Sequence, residues 1–241
     1  MCLIFFSYKE HPKYDLIIAA NRDEFYERPT TQAKFWEEYP SILAGRDQEA
    51  GGTWMGISRQ GKVSMLTNYR DPANIKSNAP SRGHLVSDFL KNGESPEAYL
   101  SEIAKNGEAY NGFNLLVGDR DNLWYYSNYK KKYEVVEKGL HGLSNHLLDT
   151  GWPKVKKGLG KMSHLMSEET IDPEVLFDAM YDDHIAKDNE LPNTGVGLER
   201  ERMLSPMFIK SPVYGSRCST VTMFDKSGKI FFAERTYDLS N

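Results

Sequence analysis

Cys2-Leu3-Ile4-Phe5-Phe6-Ser7-Tyr8, followed beyond the turn residues His11-Pro12-Lys13 by Leu16-Ile17-Ile18-Ala19-Ala20-Asn21-Arg22-Asp23-Glu24, is the stretch on which the fold turns. The second run is apolar throughout its first half, the mark of a buried strand, and the two runs read as strands over 3–8 and 15–21 joined in a hairpin inside a sheet. The cysteine that opens the first run carries chemistry as well. If Met1 is trimmed, the new α-amine titrates near pH ~8 and the thiol near ~8.5, so one residue holds both a nucleophile and the base that takes its proton. The plain alternative is that Cys2 is a small, well-buried hydrophobe.

Composition bounds what surrounds this hairpin. A chain of 241 residues, 39% hydrophobic and 27% charged, has the size and balance of a globular protein that builds a large core, and no stretch reads as a linker, so 1–241 is expected to be a single domain. A formal charge of -4 argues against a phosphate-driven nucleic-acid binder, and Lys130-Lys131-Lys132 reads as a solvated turn between two strands. The apolar run after Met1 ends at Ser7-Tyr8-Lys9, too short for a signal-peptide core, and no stretch approaches the ~20 apolar residues of a membrane span, which points to a cytoplasmic protein. Cys2 and Cys218 are the only cysteines, too few for a disulfide framework or a four-cysteine metal site, and both are expected as reduced thiols.

Strand-like and helix-like stretches come in blocks. A second strand pair is expected over 52–58 and 62–68, turning at Arg59-Gln60-Gly61. A helix over 85–91 follows, then one opened by Ser95-Pro96-Glu97 and reaching Asn106, in which Ser95 caps and Pro96 takes the first helical position. Strands return over 114–118, 123–127 and 133–136. A second helical block covers 152–167 and, capped by Asp172, 173–181; residues 182–211 read as a long functional excursion. A hairpin over 220–224 and 229–234, turning through Asp225-Lys226-Ser227-Gly228, closes the chain. Antiparallel strands in blocks between helices give an α+β layered fold.

Asn21-Arg22-Asp23-Glu24 after Met1-Cys2 resembles the signature of the NRDE family, the transport and Golgi organisation protein 2 family. The likeness continues in order through Ala44-Gly45-Arg46-Asp47, Gly51 to Gly56, Leu66-Thr67-Asn68-Tyr69-Arg70, Ser81-Arg82-Gly83, Tyr110 to Asn114, Gly142-Leu143-Ser144-Asn145 and Ser216-Arg217-Cys218-Ser219-Thr220, nearly the whole chain. It implies the N-terminal-nucleophile (Ntn) hydrolase fold, a four-layer αββα sandwich. It also implies kinship with the cysteine branch that holds penicillin V acylases and bile salt hydrolases, which cleave linear, non-peptide C–N bonds of small molecules.

Carried over residue by residue, the resemblance makes Cys2 the nucleophile and Asp23 the partner of its α-amine. Asn68 and Asn145 become candidates to stabilise the tetrahedral oxyanion, and Arg217 the late arginine of the acylases. Asn21, Arg22, Trp54 and Tyr69 are candidates to bind substrate. Each has a plainer reading: the asparagines as turn residues, Arg217 as a salt-bridge partner, the aromatics as core. In the acylases the early Arg and Asp are separated by two residues, whereas Arg22 and Asp23 are adjacent, and neighbours on a strand point to opposite faces. If Asp23 faces Cys2, Asn21 shares that face and Arg22 turns away.

The competing class is a carrier. The resemblance extends to proteins linked to haem trafficking and to handling of acyl-ligands, with haem as the alternative ligand and no cofactor needed for hydrolysis. Ligation would fall to His11, His84, His141, His146, His164, His184 or a thiolate, and there is no Cys-x-x-Cys-His. Gly158-Leu159-Gly160-Lys161-Met162 lacks the first glycine and the Ser/Thr of a phosphate loop, and neither Gly-x-Ser-x-Gly nor His-Glu-x-x-His occurs, so no nucleotide or metal site is expected.

Overall fold

The opening hairpin forms, and the rest of the chain is organised on it and on a second sheet. The computed structural model describes residues 2–238. In chain order they make β1 (Cys2–Tyr8), β2 (Tyr14–Phe25), β3 (Thr30–Phe35), β4 (Ile42–Asp47), β5 (Met55–Ser58), β6 (Val63–Asn68), α1 (Gly83–Lys91), α2 (Pro96–Asn106), β7 (Phe113–Gly118), β8 (Leu123–Ser127), β9 (Lys132–Val135), β10 (Gly139–Leu143), α3 (Pro153–Leu165), α4 (Pro173–Met180), α5 (Leu198–Met203), β11 (Tyr214–Asp225) and β12 (Ile230–Thr236). The chain divides into two units, Met1–Glu27 with Glu137–Asn241, and Arg28–Val136.

The first unit holds a five-stranded antiparallel sheet in the order β10-β1-β2-β11-β12. Alternation sends Leu3 and Phe5 of β1, Ile17 and Ala19 of β2, and Val221 and Met223 of β11 to one face. There they meet Val155 and Met162 of α3 and Leu176, Phe177 and Met180 of α4 in one core cluster. Burying each large side chain of this kind contributes roughly 1.5–3 kcal/mol. Phe5 lies so close beneath α3 that a Cβ on Gly158 would sit 2.0 Å from its Cζ. The glycine of the Gly158-Leu159-Gly160 stretch is thus a point of close helix–sheet approach. α4 starts as its cap predicts, with Asp172 Oδ1 accepting from Glu174 N at 3.0 Å. The 182–211 excursion is tied down by α5, whose buried Glu201 accepts from Thr194 N and Oγ1 at 2.8 and 2.7 Å.

The second unit is a seven-stranded antiparallel meander, β3 to β9 in sequence order, with α1 and α2 inserted between β6 and β7. Leu85, Val86 and Phe89 of α1 and Tyr99 and Leu100 of α2 pack on Leu66, Phe113, Leu115 and Val117 of the sheet. Tyr99 donates its hydroxyl to Leu85 O at 2.8 Å and so joins the helices, while Ser95 caps α2 through Ala98 N at 3.3 Å. β3, β4 and β10 lie where no strand was expected. No helix among the described residues is long and apolar enough to cross a membrane.

Candidate functional site

The register of the first sheet sorts the candidate residues into two rows. In β1 and β2 Cys2 lies directly opposite Arg22, and in β2 and β11 Arg22 lies opposite Cys218. Directly opposed residues of an antiparallel pair share a face, so Cys2, Arg22 and Cys218 form one row on the face turned away from α3 and α4. One residue along, the helix-covered face carries the other row. Ser219 Oγ donates to Asn21 Oδ1 at 2.6 Å, and Ser216 Oγ donates to Asp23 Oδ1 at 2.6 Å.

Two expectations are corrected here. β2 does alternate, with Asn21 and Asp23 together and Arg22 opposed to them, but the residue that shares a face with the Cys2 side chain is Arg22. The alternation along β2 was readable; the β1–β2 register that decides which neighbour meets Cys2 was not. Asn21 is also no substrate-binding group. Its Nδ2 donates to Met180 O at 3.0 Å and Met207 O at 2.8 Å, so this fully buried amide is used up joining β2 to the layer above it.

Arg217 owes its place to a bulge. Ser216 pairs with Asp23 and Cys218 with Arg22, which leaves Arg217 as the extra residue of β11. The insertion shifts the phase of the strand, so Ser216 and Ser219, three apart in sequence, reach the same face. The Arg217 guanidinium donates to Phe25 O at 2.8 Å. Asn145 follows β10 and is fully buried, its Oδ1 accepting from Ser144 Oγ at 3.3 Å, which orients its amino group the other way. Ser216, Ser219 and the buried Lys154 were not singled out from the sequence. The two serines stood in the Ser216-Arg217-Cys218-Ser219 motif, but their common face depends on a bulge that spacing alone does not show.

Burial dominates the electrostatics. It pushes the Cys2 thiol up to about 11; the Asp23 carboxylate adds to the rise and the Arg22 guanidinium opposes it. Burial likewise raises the Asp23 carboxyl, against the pull of the Lys154 ammonium and the Ser216 hydrogen bond. Cys218 is driven well above the usual thiol range by burial and then by Glu234. Cys2 is therefore a protonated thiol near neutral pH, lying opposite the buried Arg22.

The remaining candidates belong to the second unit. Asn68 ends β6 opposite Phe113 and is half-buried. Tyr69 stacks on Tyr129 with ring centroids 3.8 Å apart and planes at 11°. Trp54 is half-buried just before β5, its carbonyl accepting from Leu66 N at 2.9 Å. Of the histidines, buried His11 engages both ring nitrogens, with Glu168 O and Lys13 N, as does His141 with Asp149 and Glu137 O; His84 meets Ala50 O at 2.6 Å and His146 meets Thr150 Oγ1 at 2.9 Å, while His164 and His184 are exposed. Among the described residues no group of three or more His, Cys, Asp or Glu is arranged to hold a metal ion.

Comparison with solved structures shows the fold. The Caenorhabditis elegans N-acylethanolamine-hydrolyzing acid amidase ortholog matches with a TM-score of 0.54 at 11% identity, over 92% of this chain and 92% of that one. The C2A mutant of the conjugated bile acid hydrolase from Clostridium perfringens matches with a TM-score of 0.52 at 10% identity, over 99% of this chain and 97% of that one. The chain has the α+β sandwich fold of the Ntn hydrolases. At the sequence level, the family model for Transport and Golgi organisation 2 matches residues 1–239. The Transport and Golgi organization 2 homolog of Mus musculus is 36% identical over 257 residues, covering 98% of this chain and 93% of that protein. A match over the length of the chain, with a relative of that name at this identity, settles the kinship: the chain belongs to the Transport and Golgi organisation 2 family.

Proposed function

We propose that this protein is a cysteine hydrolase of the N-terminal-nucleophile kind, cleaving the C–N bond of a small linear amide with Cys2 as nucleophile once Met1 is removed. The observation that carries the reading is the Cys2 side chain directly opposite buried Arg22, with the Asp23 carboxyl one residue along. Two solved structures alike in fold are an amidase and a bile acid hydrolase, the latter substituted at a cysteine in position 2 of its own chain.

The chemistry follows from what each group offers. The freed α-amine takes the thiol proton, and Arg22 stabilises the thiolate that attacks the amide carbon. The carbonyl π-electrons pass to oxygen, and the Asn145 amide is the donor proposed for the resulting oxyanion. Collapse breaks the C–N bond as the α-ammonium returns its proton to the leaving amine. Water, deprotonated by the α-amine, then attacks the thioester, and the acid leaves with Cys2 restored. Asp23 acts as a positioning residue, its carboxylate favouring the ammonium form of the base.

Intact mass of the purified protein reports whether Met1 is lost. On processed protein, Cys2→Ser should lower turnover of a panel of N-acyl amides by about a thousandfold or more with the fold retained. Loss of Met1 with no Cys2-dependent turnover of any amide removes the hydrolase reading and leaves ligand carriage.

A further inference from the structure

Residues 204–209, between α5 and β11, are buried without forming helix or strand. A buried backbone of that kind must spend its N–H and C=O groups on partners, and three of the partners here are side chains. Met207 O accepts from Asn21 Nδ2 at 2.8 Å. Ile209 N donates to Ser216 Oγ at 3.0 Å, and the same hydroxyl donates to Asp23 Oδ1 at 2.6 Å. A hydroxyl has one proton, so a Ser216 oxygen that accepts from Ile209 has its proton committed to Asp23. At the other end of the segment, Leu204 O accepts from Lys154 Nζ at 3.1 Å.

Lys154 occupies a position that a hydrophobic residue would ordinarily fill. It stands one turn before Gly158, which lies over Phe5, and two turns before Met162, on the stripe of α3 that faces the sheet, and it is 4% exposed. Asp23 lies on the face of the sheet that α3 and α4 cover and is 1% exposed. Burial raises the Asp23 carboxyl, and the Lys154 ammonium is the largest influence opposing that rise, followed by the chain's α-ammonium and the Ser216 hydrogen bond; Glu24, on the same strand, adds to the rise. The buried residues of α4, Leu176, Phe177 and Met180, bring no charge. A buried ammonium near a buried carboxyl adds little to stability, because desolvation offsets the attraction. What it fixes is the ionised form of the acid.

We propose that Lys154 and Ser216, both anchored on the 204–209 segment, are positioning residues that hold the Asp23 carboxylate, with one oxygen pinned, for the α-amine of processed Cys2. The role rests on the hydrolase reading, but its first test does not. The full chain, labelled with ¹³C in its aspartate carboxyls, is titrated by NMR, the Asp23 signal being the one lost in Asp23→Asn. Lys154→Met should raise the midpoint of that signal by about one pH unit or more, and Ser216→Ala should raise it by less. Lys154→Arg should bring it back toward the parent value, since the cation is kept. Ser216→Ala, which changes no charge, carries the same test if Lys154→Met does not fold. On processed protein that turns over an N-acyl amide, Lys154→Met should lower kcat about tenfold or more with KM little changed. A lysine that only braces Leu204 would cost stability and leave the Asp23 midpoint where it is. A midpoint unmoved by Lys154→Met, or by Ser216→Ala, overturns the proposal whatever the turnover; a midpoint that moves in a processed protein without Cys2-dependent turnover supports the hold on Asp23 and overturns the hydrolase reading instead.

Discussion

Two rows of side chains cross the same strands of the first sheet one residue apart, and they have opposite characters. Asn21, Asp23, Ser216 and Ser219 form a row of polar groups bonded to one another and to the carbonyls of Met180 and Met207. The Cys2, Arg22 and Cys218 row sets two thiols on either side of one guanidinium, with both thiol pKa values raised by burial. In the first row Asn21 and Ser219 are what a structural network looks like, their donors matched to acceptors, while Asp23, bonded to Ser216, is the positioning residue of the proposed chemistry. The second sets a buried cation between two buried thiols, and it is the row in which the proposed hydrolysis has its nucleophile. Adjacent letters in Asn21-Arg22-Asp23 thus fall in different rows.

The sharpest way to break this comparison is to remove the centre of the structural row. Asn21→Ala deletes two donors to buried carbonyls and the acceptor for Ser219. At about 1–3 kcal/mol for each buried group left unsatisfied, unfolding in urea should show a loss of roughly 3 kcal/mol or more. A loss below about 1 kcal/mol would mean that the row does not hold β2 to the helical layer.

The same face allows a paired test on α3. Gly158→Ala drives a methyl into the Phe5 ring and should cost about 1–3 kcal/mol, although alanine is the better helix former. Gly160, two residues on, has open space around its Cβ position, so Gly160→Ala should stabilise by up to about 1 kcal/mol. Thermal melts that move in the same direction for both variants would contradict the close approach at Phe5.

The row of Cys2, Arg22 and Cys218 is read through its thiol. Arg22→Met keeps the aliphatic stem and removes the cation, so it should slow alkylation of Cys2 by limiting iodoacetamide several-fold while costing less stability than Asn21→Ala. Labelling of Cys218, whose thiol burial and Glu234 drive well above the usual range, should trail that of Cys2 in the parent protein. Equal rates for the two thiols, or a Cys2 rate indifferent to Arg22, would leave the two rows without functional distinction.

How far these rows were legible follows from what each depends on. The hairpins, the caps at Ser95 and Asp172, and the main helices rest on local signals and were readable. β3, Thr30-Thr31-Gln32-Ala33-Lys34-Phe35, is an edge strand of polar residues, and β10, Gly139-Leu140-His141-Gly142-Leu143, carries two glycines; such strands form because a neighbour offers a ladder, not through their own propensity. The pairing of Cys2 with Arg22 depends on how the turn between Tyr8 and Tyr14 closes, and a slip of one residue would have exchanged Arg22 for Asp23. The common face of Ser216 and Ser219 depends on the Arg217 bulge. Chemistry that lives in cross-strand registry is invisible until the strands are paired.

The smallest effect probes the segment that carries Asn145. His141 Nδ1 meets Asp149 Oδ2 at 2.8 Å and its Nε2 meets Glu137 O at 3.0 Å, while the ring stacks on Phe6 and Asp149 Oδ1 accepts from Gly142 N at 2.8 Å. Only imidazolium donates from both nitrogens, so protonation tightens the loop from β10 to Asp149. Although burial works against the charge, the Asp149 hydrogen bond and charge raise the His141 pKa above its ordinary 6.5. A folded-state pKa above the unfolded one gives stability that is fully present below the unfolded value and is lost as pH rises through the folded value. With the pair partly open to solvent, the contribution should stay under about 1 kcal/mol. Urea unfolding of the parent should therefore weaken slightly as pH rises through the His141 titration, and His141→Gln should flatten that slope without moving the plateau above it. An unchanged slope in the variant would place the titrating group elsewhere and free Asn145 from any dependence on His141.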